Sequence, residues 1–560
     1  MKGTIVVPPN TRIRLGLVTA VAVYYVFPLT IIDLALLMAM FVWVPALLSL
    51  VVPKPTAIRS DQMVRSLSER SYPFALISTL AFILPEGNGP LIAAAAWFFY
   101  TALIGCAGLL RQLRYGFQKS EEVIINLAMI YLPVGGAWLL LGAGGFADVL
   151  PYTNVIVWLT AVHFHYAAFI LLAVTGLYVR SIKEKQHAPF FWPYLATLLG
   201  LGPLMVAFGI MQGPPLEFYF VIIYGTALVL LALWWLGAAF YSPRLRRAER
   251  LLWGSGGLVF LITTSFAVTY SFGLWQGTLI VDIPWMVNWH GAVNALIFTT
   301  LIVIASKLAE TQPALSAFVM SDLRTKGYVG KRPLEKKEWK EDDARAPALI
   351  ADWEQYRSAG FEPADVAQEV KEFYTDPTRY KMRAFIQWGS WTRPFLRFNR
   401  AVTRRMGQLN VPIEREVELE GTLAALSEKQ DRRPQPSAWL RWRKDTKEHV
   451  FTAIYSTDVR EGYAFMNIAL PLARGVMVGV LRPENDKEDG LWLTSRVGKG
   501  GEGIYITLGP VTVRTPLVET FHVWKGETGT LYAVQELKLW RFPFLKVEHE
   551  LKRKTMPSPS

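Results

Sequence analysis

The sequence predicts an α-helical multi-pass membrane bundle of about ten segments. A cytosolic α+β domain follows, dominated by an antiparallel, strongly curved or barrel-like β-sheet. Three observations predict this. Composition changes sharply along the 560 residues: 1–310 are apolar runs with short charged breaks, whereas 311–560 carry Lys, Arg, Glu and Asp throughout. The breaks in the first part alternate between basic and cation-free. From about residue 416 the apolar period changes from helical to two.

A spanning helix needs ~20 mostly apolar residues. Candidates lie at 15–28, 30–52, 72–85, 90–110, 121–142, 154–180, 191–212, 216–240, 251–275 and 286–306. The first and third are short, so eight full spans plus two half-length segments is an open alternative. Met1–Asn10 places a lysine ahead of an apolar run, as in a signal peptide. No small-x-small cleavage site follows and hydrophobic chain continues at once, so the first segment reads as an uncleaved helix. The breaks at 53–71, 111–120, 180–189 and 242–250 carry fourteen Lys and Arg, Arg244 and Lys185 among them; those at 85–90, 143–153, 213–217 and 276–285 carry none. Cations concentrate in cytoplasmic loops. The pattern therefore predicts a cytoplasmic (inner) membrane protein with both termini and the 311–560 region in the cytosol. Loop cations also account for the net charge of +13, so no nucleic-acid partner is needed. Cys106 is the only cysteine, which excludes an internal disulfide and a cysteine-based metal site.

The apolar run Val155–Arg180 carries His163 and His165. Two residues apart on a regular helix is ~200° around the axis, so both cannot face one ion unless the helix is broken there. His290, in NWHGAVNALIF with Asn288 and Asn294, is the third intramembrane histidine. At about 1.5 Å per residue from the non-cytoplasmic ends, His163 lies ~14 Å deep and His290 ~6 Å deep. One histidine of the pair can then meet His290 across a helix interface, with Gly291 allowing close approach. Three readings stand open: neutral histidines bonded to Thr160, Asn294 or backbone carbonyls; a polar cavity for substrate or protons; a haem or metal site. Thr263, Thr264, Ser265, Thr269 and Tyr270 either line such a cavity or join helices.

The domain boundaries are 1–310 for the membrane region, 311–362 for a charged, solvated linker with a short helix near 347–359, and 363–560 for the α+β domain. Pro363–Phe373 starts as a helix. In Trp391–Met406, Trp391, Phe395, Phe398, Val402 and Met406 recur at helical spacing, with Arg393, Arg397, Arg400 and Arg404 on the other face. Such a helix lies on anionic lipid head groups or packs on a sheet with its arginines in water. Ten runs between 416 and 552 alternate as strands and suggest a closed meander. Trp439, Trp442, Trp492, Trp524 and Trp540 suit an enclosed apolar cavity, and His549 reads as a satisfied core histidine. Gly498-Lys-Gly-Gly-Glu-Gly503 lacks the GK[ST] ending of a phosphate loop and reads as a hairpin loop. No Ser/His/Asp set, HExxH or spaced carboxylate pair is present.

LTAVHFHYAAF (159–169), WHGAVNAL (289–296), VKEFYTDPTRYKM (370–382), RRMGQLNVP (404–412), MNIALPL (466–472) and LWLTSR…GEGIYITLGPVTVRTPLVET (491–520) together resemble the YndJ-like family of bacterial multi-pass membrane proteins. The resemblance runs from roughly residue 30 to 550 and implies a cytoplasmic-membrane protein, sometimes called a transporter. His163, His165 and His290 match the family's histidines. Gln535 departs from it, standing where relatives tend to carry histidine. The expected function is transport or handling of a small or lipidic substrate, with the bilayer and a hydrophobic or lipidic ligand as partners and no cofactor required. Alternatives are an integral-membrane enzyme using the histidines as acid/base groups or haem or metal ligands, and a sensor or assembly protein whose β domain recruits a partner.

Overall fold

The computed structural model describes residues 9–554, apart from 57, 118, 186–187, 243–244, 310, 314–317, 322, 324, 326, 337–338, 341–345, 359, 461, 497, 499, 510 and 528 and the side chains of 9, 147–148, 184–185 and 241. The expectations for residues 1–8, Arg244, the Lys185 side chain, the charged run 341–345 and Lys499 lie outside the described residues. The chain divides into two compact units, Met1–Ala314 and Leu315–Ser560.

Among the described residues the first unit contains ten long helices, matching the ten expected segments: α1 (Pro9–Val26), α2 (Ile31–Val51), α3 (Arg59–Ile83), α4 (Asn88–Tyr115), α5 (Ser120–Ala143), α6 (Asn154–Lys183), α7 (Trp192–Gln212), α8 (Leu216–Tyr241), α9 (Arg247–Gln276) and α10 (Ile283–Ala309). Eight of them, all but α1 and α3, are long and apolar enough to cross a membrane. The two exceptions are the segments the sequence marks as short. In α3 the cause is its first half, which carries Arg59, Asp61, Arg65, Glu69 and Arg70.

Three of the cations assigned to loop breaks are buried inside helices. Arg111 and Arg114 lie within α4 and Arg180 within α6, all buried. Arg111 pairs with Asp61 of α3 and, at 2.8 Å, with Glu122 of α5, and its Nε donates to Asn126 Oδ1 at 2.9 Å. Arg180 donates to both Glu122 oxygens at 2.6 Å and to the Val51 carbonyl at 2.9 Å. The Tyr115 hydroxyl donates to Asp61 at 2.9 Å. Two arginines and two carboxylates balance in charge, and their partners come from α2 to α6.

The second unit is a β-barrel. Its strands are β1 (Tyr380–Trp388), β2 (Glu416–Ala425), β3 (Ser437–Arg443), β4 (His449–Arg460), β5 (Tyr463–Pro471), β6 (Gly475–Asn485), β7 (Leu491–Thr494), β8 (Gly503–Leu508), β9 (Val511–Arg514), β10 (Leu517–Lys525), β11 (Leu531–Leu539) and β12 (Phe542–Arg553). Ten of them close an antiparallel ring in the order β1-β12-β11-β10-β7-β6-β5-β4-β3-β2, and β8–β9 is a hairpin paired to the first half of β6. Closure removes the open edges that a meander of this length would expose. Period-two alternation sends Met382, Ala384, Leu545, Val547 and Leu551 into the interior core.

Three details differ from the expectation. Strand β1 was not among the ten runs, and the run 511–524 is two strands with a turn between them. The stretch 311–362 is also not a solvated linker throughout. Phe318, Leu323 and Trp339 pack on the outer wall against Leu440, Ile454 and Tyr505. Leu349, Ile350, Tyr356 and Phe361 join the interior core with Phe373 and Tyr374 of α11 (Gln368–Thr375). Among the described residues the expected helix near 347–359 is one 3-10 turn, Glu354–Tyr356. That segment closes the barrel end where Glu362 N bonds Asn485 and Lys525 pairs with Glu369.

Removing one member of a buried ion-pair network strands its partners and costs roughly 3–5 kcal/mol, against about 0–1 kcal/mol for an exposed pair. Glu122→Ala is therefore expected to lower the stability of the first unit by that larger amount. Glu69→Ala, which breaks the half-exposed Arg65–Glu69 pair, should leave it nearly unchanged. Hydrogen exchange of α4–α6 in the detergent-solubilised protein measures both.

Candidate functional site

The three intramembrane histidines separate into two environments. His165 is fully buried. Its Nδ1–H donates to the Ala161 carbonyl at 2.8 Å, and its Nε2 accepts from the Trp97 indole of α4 at 2.9 Å. Both ring nitrogens are used, so His165 is a satisfied packing histidine. Gly135 of α5 makes room for it, since a Cβ there would lie 2.7 Å from Nδ1.

His163 points the other way and meets His290 of α10, as the helix-interface argument anticipates. The two rings lie 6.5 Å apart, centroid to centroid, and are inclined by 22°. His163 Nδ1–H donates to the Leu159 carbonyl at 2.7 Å, and His290 Nδ1–H to the Thr263 carbonyl of α9 at 2.8 Å. Each ring therefore presents an unprotonated Nε2, and no hydrogen bond reaches either Nε2 among the described residues. A backbone carbonyl on the far nitrogen is the arrangement that orients metal-binding imidazoles. Both histidines adjoin or lie in π-helical turns, Phe164–Ile170 and Met286–Phe298, which re-aim side chains and recur at functional positions.

The other expected partners contribute unevenly. Asn294 Oδ1 accepts from the Thr263 hydroxyl at 2.8 Å, so Thr263 fixes His290 through its carbonyl and Asn294 through its side chain. Thr160 does not bond a histidine; its hydroxyl donates to Ile156 of its own helix. Ser265 and Thr269 likewise bond within α9. Gly291 is not needed for close approach, since a Cβ there meets nothing nearer than 3.6 Å. No cluster of three or more His, Cys, Asp or Glu able to hold a metal occurs among the described residues.

A second site lies inside the barrel and was only partly legible. Two adjoining cavities, about 100 and 40 Å³, share His549 in their linings. Arg441 lines the smaller one; Glu519 and Gln535 line the larger. Arg441 is buried, stacked 3.9 Å from the Trp439 ring centroid and 3.6 Å from that of Phe451. Its guanidinium makes no hydrogen bond among the described residues, and Nε is an unpartnered buried donor. A register shift between Arg441 and Trp442 marks a bulge, the device by which strands re-aim a side chain. Gly421 leaves space beside it, where a Cβ would lie 3.3 Å from Arg441 Cγ.

Gln535 donates to Glu519 at 2.6 Å. Burial pushes the Glu519 carboxyl up to about 7 against the pull of Gln535 and Arg441. Burial, reinforced by Arg441, pushes His549 down to about 3. His549 is on the interior face as expected, but its Nδ1 has no partner, so it is not a satisfied core histidine. Of the five tryptophans expected around the cavity only Trp439 lines it. Trp492 and Trp524 stack on His522 at 4.0 and 4.5 Å, on the opposite face from the interior Leu491, Leu493 and Val523. Trp442 carries Lys331 over its ring, and Trp540 is exposed.

The remaining candidates lie on α12 (Leu396–Met406) and the 3-10 turn before it. Arg400 and Arg404 pair with Glu448, and Arg400 also with Glu414. Arg393 and Arg397 are exposed and form no ion pair among the described residues. The loop near Gly498 is not available to a phosphate, because the Glu502 carboxylate already accepts from the Gly498 and Gly500 amides at 3.0 and 3.2 Å.

His165→Ala removes a buried, doubly bonded ring and is expected to cost roughly 2–5 kcal/mol. His163→Ala should stay within about 1 kcal/mol, as thermal unfolding in detergent will record. Glu519 binds its proton more tightly folded than at its ordinary 4.5, so its contribution to stability falls as pH rises from 4.5 to about 7. Barrel unfolding curves should therefore show Glu519→Gln gaining on the wild type through that window and holding a constant lead above it.

Residues 34–298 match the family model described as YndJ-like protein. Over 536 residues the chain is 29% identical to the uncharacterized membrane protein YndJ of Bacillus subtilis (strain 168), covering 94% of this chain and 95% of that protein. No solved structure matches it. His163, His165, His290 and the buried charge network all lie inside the matched region, and over it this membrane protein is similar to the YndJ-like family.

Proposed function

We propose that this protein handles a small amphipathic molecule at the cytoplasmic membrane, with the barrel in the cytosol as its binding module. The observation that carries the reading is the barrel interior: an apolar wall around Arg441, whose guanidinium has aromatic faces on two sides and no hydrogen-bond acceptor among the described residues. A buried cation without acceptors is costly, and an anionic or carbonyl head group would supply them. Size restricts the ligand. At about 100 Å³ the larger cavity is below the ~300–1,000 Å³ of ordinary ligand pockets. It suits a small molecule or the end of a chain rather than a whole lipid. The basic breaks support the cytosolic placement of the barrel, since they still alternate with cation-free ones once the network members Arg111 and Arg180 and the buried Arg114 are set aside.

A photoactivatable short-chain carboxylate offered to the full-length protein in nanodiscs is expected to label β3, β4 and β10–β12. Arg441→Met should abolish that labelling, and so should Ala384→Leu, which fills the larger cavity. Labelling that is absent, or indifferent to both substitutions, rejects the reading.

A second reading is favoured by one observation, the two free Nε2 atoms of the His163–His290 pair. Two imidazoles held in this way can share an ion or a proton inside the membrane. Metal bound in stoichiometric amount by the wild type and lost in both His163→Ala and His290→Ala would support the ion; metal retained by both variants would count against it.

A further inference from the structure

The barrel's two ends are built differently. One is closed by residues 349–374. At the other, the chain leaves β1 at Trp388, forms the turn Ser390–Phe395 and α12, and returns through Leu409, Val411 and Pro412, which line the larger cavity. The same end holds the β11–β12 turn, because the Trp391 indole donates to the Pro543 carbonyl at 2.7 Å and Gly389 N to that of Phe544 at 3.0 Å. Pairs from Arg400 and Arg404 to Glu448 tie α12 to the β3–β4 turn.

The outward side of this end is unlike the rest of the unit. Phe398 is 74% exposed, Phe395 63%, Val402 47% and Trp391 40%, with Trp540 and Phe542 at 67% and 63%. A helix packed on a sheet would have buried that stripe. Between the aromatics stand Arg393, Arg397, Arg405 and Arg541, all exposed and none in an ion pair among the described residues. Aromatic side chains next to unpaired arginines match the interface of an anionic bilayer, where rings sit at head-group level and cations meet lipid phosphate. The chain carries its own membrane region, so a bilayer surface is always within tether range at high effective concentration.

We propose that this end of the barrel, led by Trp391, Phe395, Phe398 and Val402, docks on an anionic bilayer surface. Docking would set the end lined by Leu409 and Val411 toward the lipid. The inference does not require the cavity to take an amphiphile, since its readout is lipid contact at residue 398 and not ligand in the barrel.

The test uses the full-length chain in nanodiscs, with Cys106→Ala and a single environment-sensitive fluorophore on Phe398→Cys. A control carries it on Lys487→Cys, at the opposite end. Spin-labelled phosphatidylglycerol is expected to quench the label at 398 and leave that at 487 bright. Quenching should fall in phosphatidylcholine discs and be lost when Arg393, Arg397 and Arg405 are all replaced by Glu. Unchanged amide exchange in the strands would show that the triple variant still folds. Equal quenching at 398 and 487 would overturn the proposal. So would a 398 label shielded from water but untouched by lipid quencher, which would mean a protein covers this face. Quenching that survives the triple replacement would overturn the role of the arginines and with it the anionic surface.

Discussion

Four buried charges hold the membrane unit in register. Arg111 and Arg180 converge on Glu122, with Asp61 on the far side of Arg111. None can leave without stranding another in a low-dielectric interior. Because the partners come from successive helices, the network fixes how α3, α4, α5 and α6 meet at one end of the bundle. Helix α6 is pinned there by Arg180 and again, fifteen residues earlier, where His165 accepts from Trp97 of α4. With His165 committed to α4, His163 has to face the other way, toward α10. The histidine pair is thus a consequence of packing established elsewhere, and only its free Nε2 atoms are left for chemistry.

How much of this was legible depended on whether a residue's role followed from its period. Alternation at 545–551 placed Leu545, Val547, His549 and Leu551 inside, and the strand runs closed into a barrel as a long meander must. Strand β1 escaped because its outward face is not uniformly polar: Phe385 sits there under the Arg383 guanidinium, which blurs the alternation of Met382, Ala384 and Ile386. Trp492 and Trp524 were read as cavity residues from their type, although parity with Leu491, Leu493 and Val523 already turns them outward. Phe318, Leu323 and Trp339 gave no signal, since they reach the wall singly, without a regular element to make a period.

The charge network was hidden for a different reason. Arg111 and Arg180 end apolar runs as loop cations do, and the positive-inside pattern absorbed them. The clue was acidic: Asp61 and Glu122 lie near the starts of α3 and α5, beside the basic breaks, where a carboxylate can serve a helix N-terminus or a buried arginine equally well. Only the fold distinguishes the two, by bringing Asp61 and Glu122 to opposite sides of one guanidinium.

In the barrel interior Arg441 needs a different account, because no carboxylate pairs with it among the described residues. A ring of ten strands can fill its interior with apolar side chains, and most of this one does. Arg441 instead stands between Trp439 and Phe451 without an acceptor, with Glu519 and His549 near by and each pushed toward its neutral form by burial. Arg441 forms no ion pair among the described residues, whereas the membrane network cancels its own charge. Stability alone does not call for such an arrangement, since an apolar residue of similar size would fill the space without an unpaired charge. Buried arginine closes a structure in the membrane network and again where Arg433 pairs with Asp431, and the proposed binding role of Arg441 rests on its differing from both in having no ion pair among the described residues.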